Sequence, residues 1–199
     1  MRLPAPELDG GVSLEKAIGV RRTIRSFDAK ALSLQQLSQL LWSAQGITEQ
    51  GGFKRAAPSA GALYPMDVYA VVGAGCIESL DPGVYHYNPE GHSISLGREG
   101  DARGDVARAS LWQTWMAQAP LNLVITAEYS RITGKYDKRG MRYAMIEAGH
   151  IGQNIFLQAQ AMGLAAGIVG AFEDDKLIRV MGIKETHEPL LVMPVGYER

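Results

Sequence analysis

The chain has 199 residues, with 20 Lys and Arg against 21 Asp and Glu for a formal net charge of −1, 46% hydrophobic residues and 21% charged residues. These values fit one globular domain and exclude a mainly disordered chain, nucleic-acid binding by bulk charge and a polybasic membrane anchor. One cysteine, Cys76, excludes an intramolecular disulfide and a Cys-rich zinc site, and no apolar run reaches the ~18 residues of a membrane span.

Residues 1–12 carry Pro4, Pro6 and Gly10-Gly11 and read as an N-terminal arm. Met1–Glu7 lacks the apolar core of a signal peptide, so a cytoplasmic protein is expected. Residues 13–199 read as a single domain. Ser13 caps a short helix that ends near Val20, with Glu15 in its first turn. Ser33 and Gln36 form a capping box; Leu34, Leu37, Leu40, Leu41 and Ala44 follow with helical spacing, and Gly46 closes that helix. Residues 47–57 are a polar loop. Val68–Val72 reads as a buried strand, and Val84–Tyr87 and Ser93–Leu96 as a hairpin around Asn88-Pro89-Glu90-Gly91. A helix over 105–117, a strand over 121–127 and a long polar loop over 129–141 come next. The longest helical pattern runs over 142–162, with Gly163 at its end. A strand over 165–169, a helix over 174–181 and a strand over 190–195 complete the chain. Strands and helices without a βαβ rhythm predict an α+β fold, helices packed on a mixed sheet.

Several motifs carry chemistry. Arg21, Arg22 and Arg25 stand within five residues, interleaved with Thr23 and Ser26. Like charges at helical spacing repel, and an anion between them reverses the sign. Guanidinium forks match phosphate oxygens; the alternative is a solvated helix C-terminus, where cations also suit the macrodipole. Pro58, Ser59, Ala60, Gly61 and Ala62 form a small-residue stretch before Leu63-Tyr64-Pro65, which admits either a flat ligand close to the backbone or an ordinary turn. Gly73-Ala74-Gly75-Cys76 imitates a dinucleotide fingerprint, but Glu78 occupies the third glycine position and Asp81-Pro82 leaves no room for the helix. Cys76, without a basic neighbour in sequence, reads as inert. Glu147 and His150 have the spacing of half a di-iron site, but no second copy exists, so no metal is expected. With Asn154 they read instead as a buried polar stripe. Lys135-Tyr136 offers proton donors if placed over a reacting atom, and a solvated loop otherwise.

In order and spacing, five blocks together resemble the nitroreductase family of flavoproteins, most closely its SagB-type dehydrogenase branch. They are Arg21–Phe27, Leu40–Gly46, Pro58–Pro65, Glu147–Asn154 and Gly170-Ala171-Phe172. The resemblance covers nearly the whole chain. It implies a mixed sheet between helical layers and a homodimer with two FMN groups at the subunit interface. It assigns Arg21, Arg22, Thr23 and Arg25 to the phosphate, and Pro58, Ser59, Ala60 and Gly61 to the loop beside the flavin ring. Gly170 and Ala171 match the backbone facing flavin N5 and O4, and Arg199 a C-terminal phosphate partner. Ala62 stands where many classical members have Asn, so one polar contact to the flavin is missing or supplied elsewhere. Lys135-Tyr136 resembles a pair of the SagB-type branch, which includes members that oxidise azoline rings.

The expectation is an FMN-dependent oxidoreductase that takes a hydride from NAD(P)H onto flavin N5 and delivers electrons to a small organic acceptor, a nitroaromatic or quinone. Lys135 and Tyr136 are the candidate catalytic residues. Two alternatives are dehydrogenation of an organic substrate such as an azoline, and flavin binding or sensing with little turnover.

Overall fold

Among the described residues, six strands form one sheet in the order β3-β2-β1-β4-β6-β5. They are β1 (Met66–Val72), β2 (Gly83–Asn88), β3 (Ser93–Glu99), β4 (Leu121–Ala127), β5 (Ala165–Ala166) and β6 (Glu188–Gly196). The helices are α1 (Leu14–Val20), α2 (Leu34–Gln45), α3 (Arg103–Ala109), α4 (Ser130–Tyr136), α5 (Arg139–Ala161) and α6 (Asp174–Met181). The computed structural model describes residues 1–49 and 51–199; Gln50, part of the loop expected over 47–57, lies outside the described residues.

Alternation along the strands builds two cores. Val68, Ala70 and Val72 of β1, Leu121, Leu123 and Ile125 of β4, and Met193 and Val195 of β6 pack with α2 and α5. Tyr69 and Val71, Val124 and Val192 point the other way, onto Val106 of α3 and Leu177 and Met181 of α6. Every residue of β1 and β4 is therefore buried, so no ligand can reach the sheet through its central faces. The α+β expectation holds. The sheet differs in being antiparallel at every strand pair, and the parallel component shrinks to single bridges, Thr23 with Ala166 and Leu32 with Ile77.

Local signals place the helices well where a cap is present. The Ser13 side chain accepts from the Lys16 N–H. Ser33 and Gln36 form the reciprocal capping box, each side chain accepting from the other's backbone N–H. Gly163, at φ +69°, follows α5 in the left-handed region that glycine tolerates. Three expectations fail. The helix over 105–117 is α3 followed by a break, with Leu111 and Trp112 at positive φ and a 3₁₀ turn over Thr114–Gln118. The loop over 129–141 is largely α4 and the first turn of α5; the fully buried Ile132 anchors α4, packed 3.1 Å from the position a Cβ would take on Gly140. The strand over 165–169 is reduced to β5 and a single bridge from Val169 to Val192.

Ser33→Ala removes one arm of the capping box. A loss of about 1 kcal/mol in stability is expected, read as a lower urea midpoint with an unchanged m value.

Candidate active site

The antiparallel pairing of β1 with β4 brings two distant segments to one end of the sheet. Met66 lies opposite Ala127, and the Glu128 N–H donates to the Pro65 carbonyl at 2.8 Å. The segment preceding β1 is the turn Pro58–Pro65, and the one following β4 is α4, which ends in Lys135 and Tyr136. The turn is tightly wound: Gly61, Ala62 and Tyr64 have φ of +63°, +52° and +46°. Non-glycine residues in that region are strained, and such strain concentrates at functional sites. The Ser59 Oγ accepts from the Tyr64 N–H at 3.0 Å. A Cβ on Gly61 would lie 2.8 Å from the Tyr136 hydroxyl and 3.0 Å from the Lys135 Nζ. Two motifs separated in sequence thus meet, and the bare glycine leaves room for both polar side-chain ends. Tyr136 is further steadied edge-on against Tyr143 of α5, with ring centres 5.2 Å apart.

Beneath the turn lies a buried polar chain. Glu147 of α5 is 1% exposed, and its Oε1 accepts from the Gln45 Nε2 at 3.0 Å. Gln45 in turn accepts from the Arg55 guanidinium at 3.2 Å, which stacks on the Tyr64 ring at 4.3 Å. Burial raises the Glu147 carboxyl above the ordinary carboxylate range; the neighbouring Ser59 hydroxyl, Gln45 and the Arg55 charge hold it back only in part. Glu147 Oε2 has no aligned hydrogen bond. Farther along α5, Asn154 donates to the carbonyls of Ser43 and Ala56. The polar stripe read from the sequence therefore holds for Glu147 and Asn154 and fails for His150, which is exposed. Nothing in the local sequence around Arg55 or Gln45 marks either as a partner of Glu147 on α5.

The remaining candidates form a second group. Thr23 bridges Ala166, the Ile24 N–H donates to the Ala166 carbonyl, and the Arg199 N–H donates to the Ser26 carbonyl. Arg21, Arg25 and Arg199 thus share one edge with β5. The Arg21 guanidinium lies 5.0 Å over the Phe156 ring and that of Arg25 5.9 Å over Trp115. Arg22 instead turns back on the carbonyls of Gly19 and Arg21, capping the helix end. Gly170 and Ala171 follow the Val169–Val192 bridge and are exposed; the Gln113 side chain donates to the Ala171 carbonyl at 3.3 Å. Because Phe156 and Tyr143 belong to the same helix, at 1.5 Å rise per residue the two groups are separated by roughly 20 Å. A cleft of about 980 Å³ belongs to neither group; it lies between the N-terminal arm and Ile47, Glu49 and Phe53, and meets the turn through Ala62 and Tyr64. The glycine-rich Gly73–Cys76 segment opens no helix, and Cys76 is buried with its thiol pKa raised by burial, as an inert cysteine should be.

Comparison with known proteins is consistent along the chain. The Nitroreductase family model matches residues 18–197. The chain is 40% identical to the Methanocaldococcus jannaschii protein MJ1384 over 98% of its own length and 96% of that protein's. It is 29% identical to the Escherichia coli microcin B17-processing protein McbC over 85% of this chain, spanning 64% of McbC. A solved structure from Ralstonia eutropha JMP134 superposes with a TM-score of 0.87 at 31% identity, covering 99% of this chain and 88% of that one.

Glu147 gives the site a pH signature. Its folded-state pKa is raised, so between the ordinary carboxylate range and that raised value the folded protein binds more protons than the unfolded one. Stability contributed at low pH is lost as pH rises through this window. Glu147→Gln is expected to flatten that decline relative to the parent protein, measured by urea unfolding across pH 4 to 8 as ~0.5-unit steps.

Proposed function

Because the chain belongs to the nitroreductase family of oxidoreductases, we propose that it is an FMN-dependent enzyme whose site is completed between two copies of the chain. The observation that carries this reading is the division of the candidate residues into two groups at opposite ends of α5. Between them α5 exposes an apolar strip, with Met145 and Ile146 each about half exposed, and α1 exposes Leu14 and Ile18. Unpartnered apolar surface of this kind marks an association face. A two-fold related copy, with α5 antiparallel to its mate, carries the Gly61 turn of one chain toward the arginine edge of the other.

The residues fit the cofactor. Among the described residues, Arg21, Arg25 and Arg199 form no ion pair with a carboxylate, which leaves their charge for a phosphate. Gly61 lets backbone approach a flat ring, and the open backbone at Gly170, where a Cβ would meet nothing within 4 Å, offers amide groups to a ring edge. When bound, FMN would supply two-electron redox chemistry between NAD(P)H and a small organic acceptor such as a nitroaromatic or quinone. The protein binds the phosphate, orients the ring and, through Lys135 Nζ and the Tyr136 hydroxyl, moves the protons that accompany the electrons. The similarity to McbC favours a second reading, in which the same pair removes a proton from an organic ring that is oxidised, as in azoline dehydrogenation.

Arg25→Ala is expected to weaken FMN and leave riboflavin, which lacks the phosphate, nearly unaffected. A hydrogen bond to a charged group contributes about 1.5–3 kcal/mol, so the FMN dissociation constant should rise tenfold or more in a fluorescence titration. Equal losses for both flavins would show that Arg25 supports the fold instead.

Tyr136→Phe and Lys135→Ala are expected to keep FMN occupancy and its spectrum while slowing the substrate half-reaction by ~10²-fold or more in stopped-flow measurements. Wild-type rates in both variants would remove the pair from the mechanism; loss of FMN would move it to the cofactor site.

A further inference from the structure

α4 is only seven residues long, too short to be stable without tertiary partners, yet it carries the two candidate catalytic side chains. Its amino end is gripped by charge. Arg131 forms an ion pair with Asp67 of β1 at 2.8 Å and with Glu128 at 2.6 Å. Asp67 is a rigid post: its side chain is 9% exposed, and its other oxygen is 2.7 Å from the His86 Nε2. Burial alone would raise the Asp67 carboxyl, but the His86 hydrogen bond and the Arg131 charge outweigh it and hold the group below its ordinary range, and so ionised. Around it stand Tyr69, whose hydroxyl is 2.7 Å from the His187 Nδ1, and His187 itself, which burial keeps below its usual pKa and so neutral at pH 7. Asp67, Glu128 and His187 have the spacing of a cation site, and the cation they face is already present as the Arg131 guanidinium.

Arg131 and Lys135 are one helical turn apart, and the strands that hold the clamp are the ones that deliver the Gly61 turn: Asp67 lies two residues after Pro65, and Glu128 is bonded to Pro65 through its own N–H. We propose that Arg131, through its ion pairs with Asp67 and Glu128, is the positioning residue that fixes Lys135 and Tyr136 over the Gly61 turn. The Arg131 guanidinium is paired with Asp67 and Glu128, so its effect passes through the orientation of α4. The inference rests on the proposed role of the Lys135–Tyr136 pair.

The test compares Arg131→Met, Arg131→Lys, Tyr136→Phe and the double variant Arg131→Met/Tyr136→Phe as FMN-loaded proteins, with hydrogen exchange and both half-reactions measured. Displacement by about 1 Å can cost ~10²-fold in rate, so Arg131→Met should slow the substrate half-reaction by roughly tenfold to a hundredfold. FMN affinity should stay within about threefold of the parent, less than the loss of one charged contact would produce. Amides of 130–136 should exchange faster while those of α5 are unchanged. Lys keeps the charge but not the fork, and should recover part of the rate. In the Tyr136→Phe background, Arg131→Met should cost less than it does alone, because one of the two groups it positions is already gone. If Arg131→Met does not fold, Glu128→Gln, which keeps the Asp67 pair, should give smaller effects of the same sign. Slow Tyr136→Phe with wild-type Arg131→Met rates overturns the positioning role and leaves the function standing. Full additivity in the double variant, or equal loss of FMN affinity and rate, also overturns it. Wild-type rates in Tyr136→Phe and Lys135→Ala instead bring down the functional reading, and this inference with it.

Discussion

The antiparallel pairing of β1 with β4 is the constraint on which the rest of the molecule depends. Both strands are seven residues long and buried throughout, because helices cover both faces of the sheet. A sheet covered on two sides has no free face for chemistry, so function is confined to strand ends and to the segments that leave them. At the end marked by Met66 and Ala127, those segments are the Pro58–Pro65 turn and α4. Their meeting follows from strand register, since a one-residue slip would reverse the faces of all their side chains and is opposed by both cores.

Polar groups buried near this end are costly unless partnered, and here two chains partner most of them, with Glu147 Oε2 and Arg55 Nε left without an aligned hydrogen bond. One runs from Glu147 through Gln45 to Arg55 and Tyr64 and supports the turn from below. The other joins His86, Asp67, Arg131 and Glu128 and grips α4. The two carboxylates respond oppositely. Glu147 faces one distant guanidinium and is raised, whereas Asp67 has a hydrogen-bonded imidazole and a guanidinium in contact and is lowered. Burial is similar in both; the His86 hydrogen bond and then the Arg131 charge decide the sign at Asp67.

A single chain divides the candidate residues between the two ends of its longest helix. The arginine edge gathers by backbone pairing of residues 23–28 with β5 and the C-terminal residues, and the turn gathers by the β1–β4 register. An apolar strip on α5, facing outward where a monomer would favour polar residues, is the physical reason to seek the completing half in a second copy.

Capping boxes, apolar periodicity and glycine stops are local, and these the sequence determined by itself: α1, α2, the long α5, the hairpin and the buried central strand were all legible, as was the family resemblance through five ordered blocks. The failures share a cause. α4 has one fully buried residue, Ile132, which leaves no periodicity to read, and its helix exists because a guanidinium and the sheet end hold it. The break at Leu111 and Trp112 places two bulky residues at positive φ, which no propensity anticipates. Arg131 with Asp67, and Gln45 with Glu147, are partners only across space. Tertiary structure alone decided these, because the free energy that selects them comes from burial and charge contact between segments that composition and spacing treat as independent.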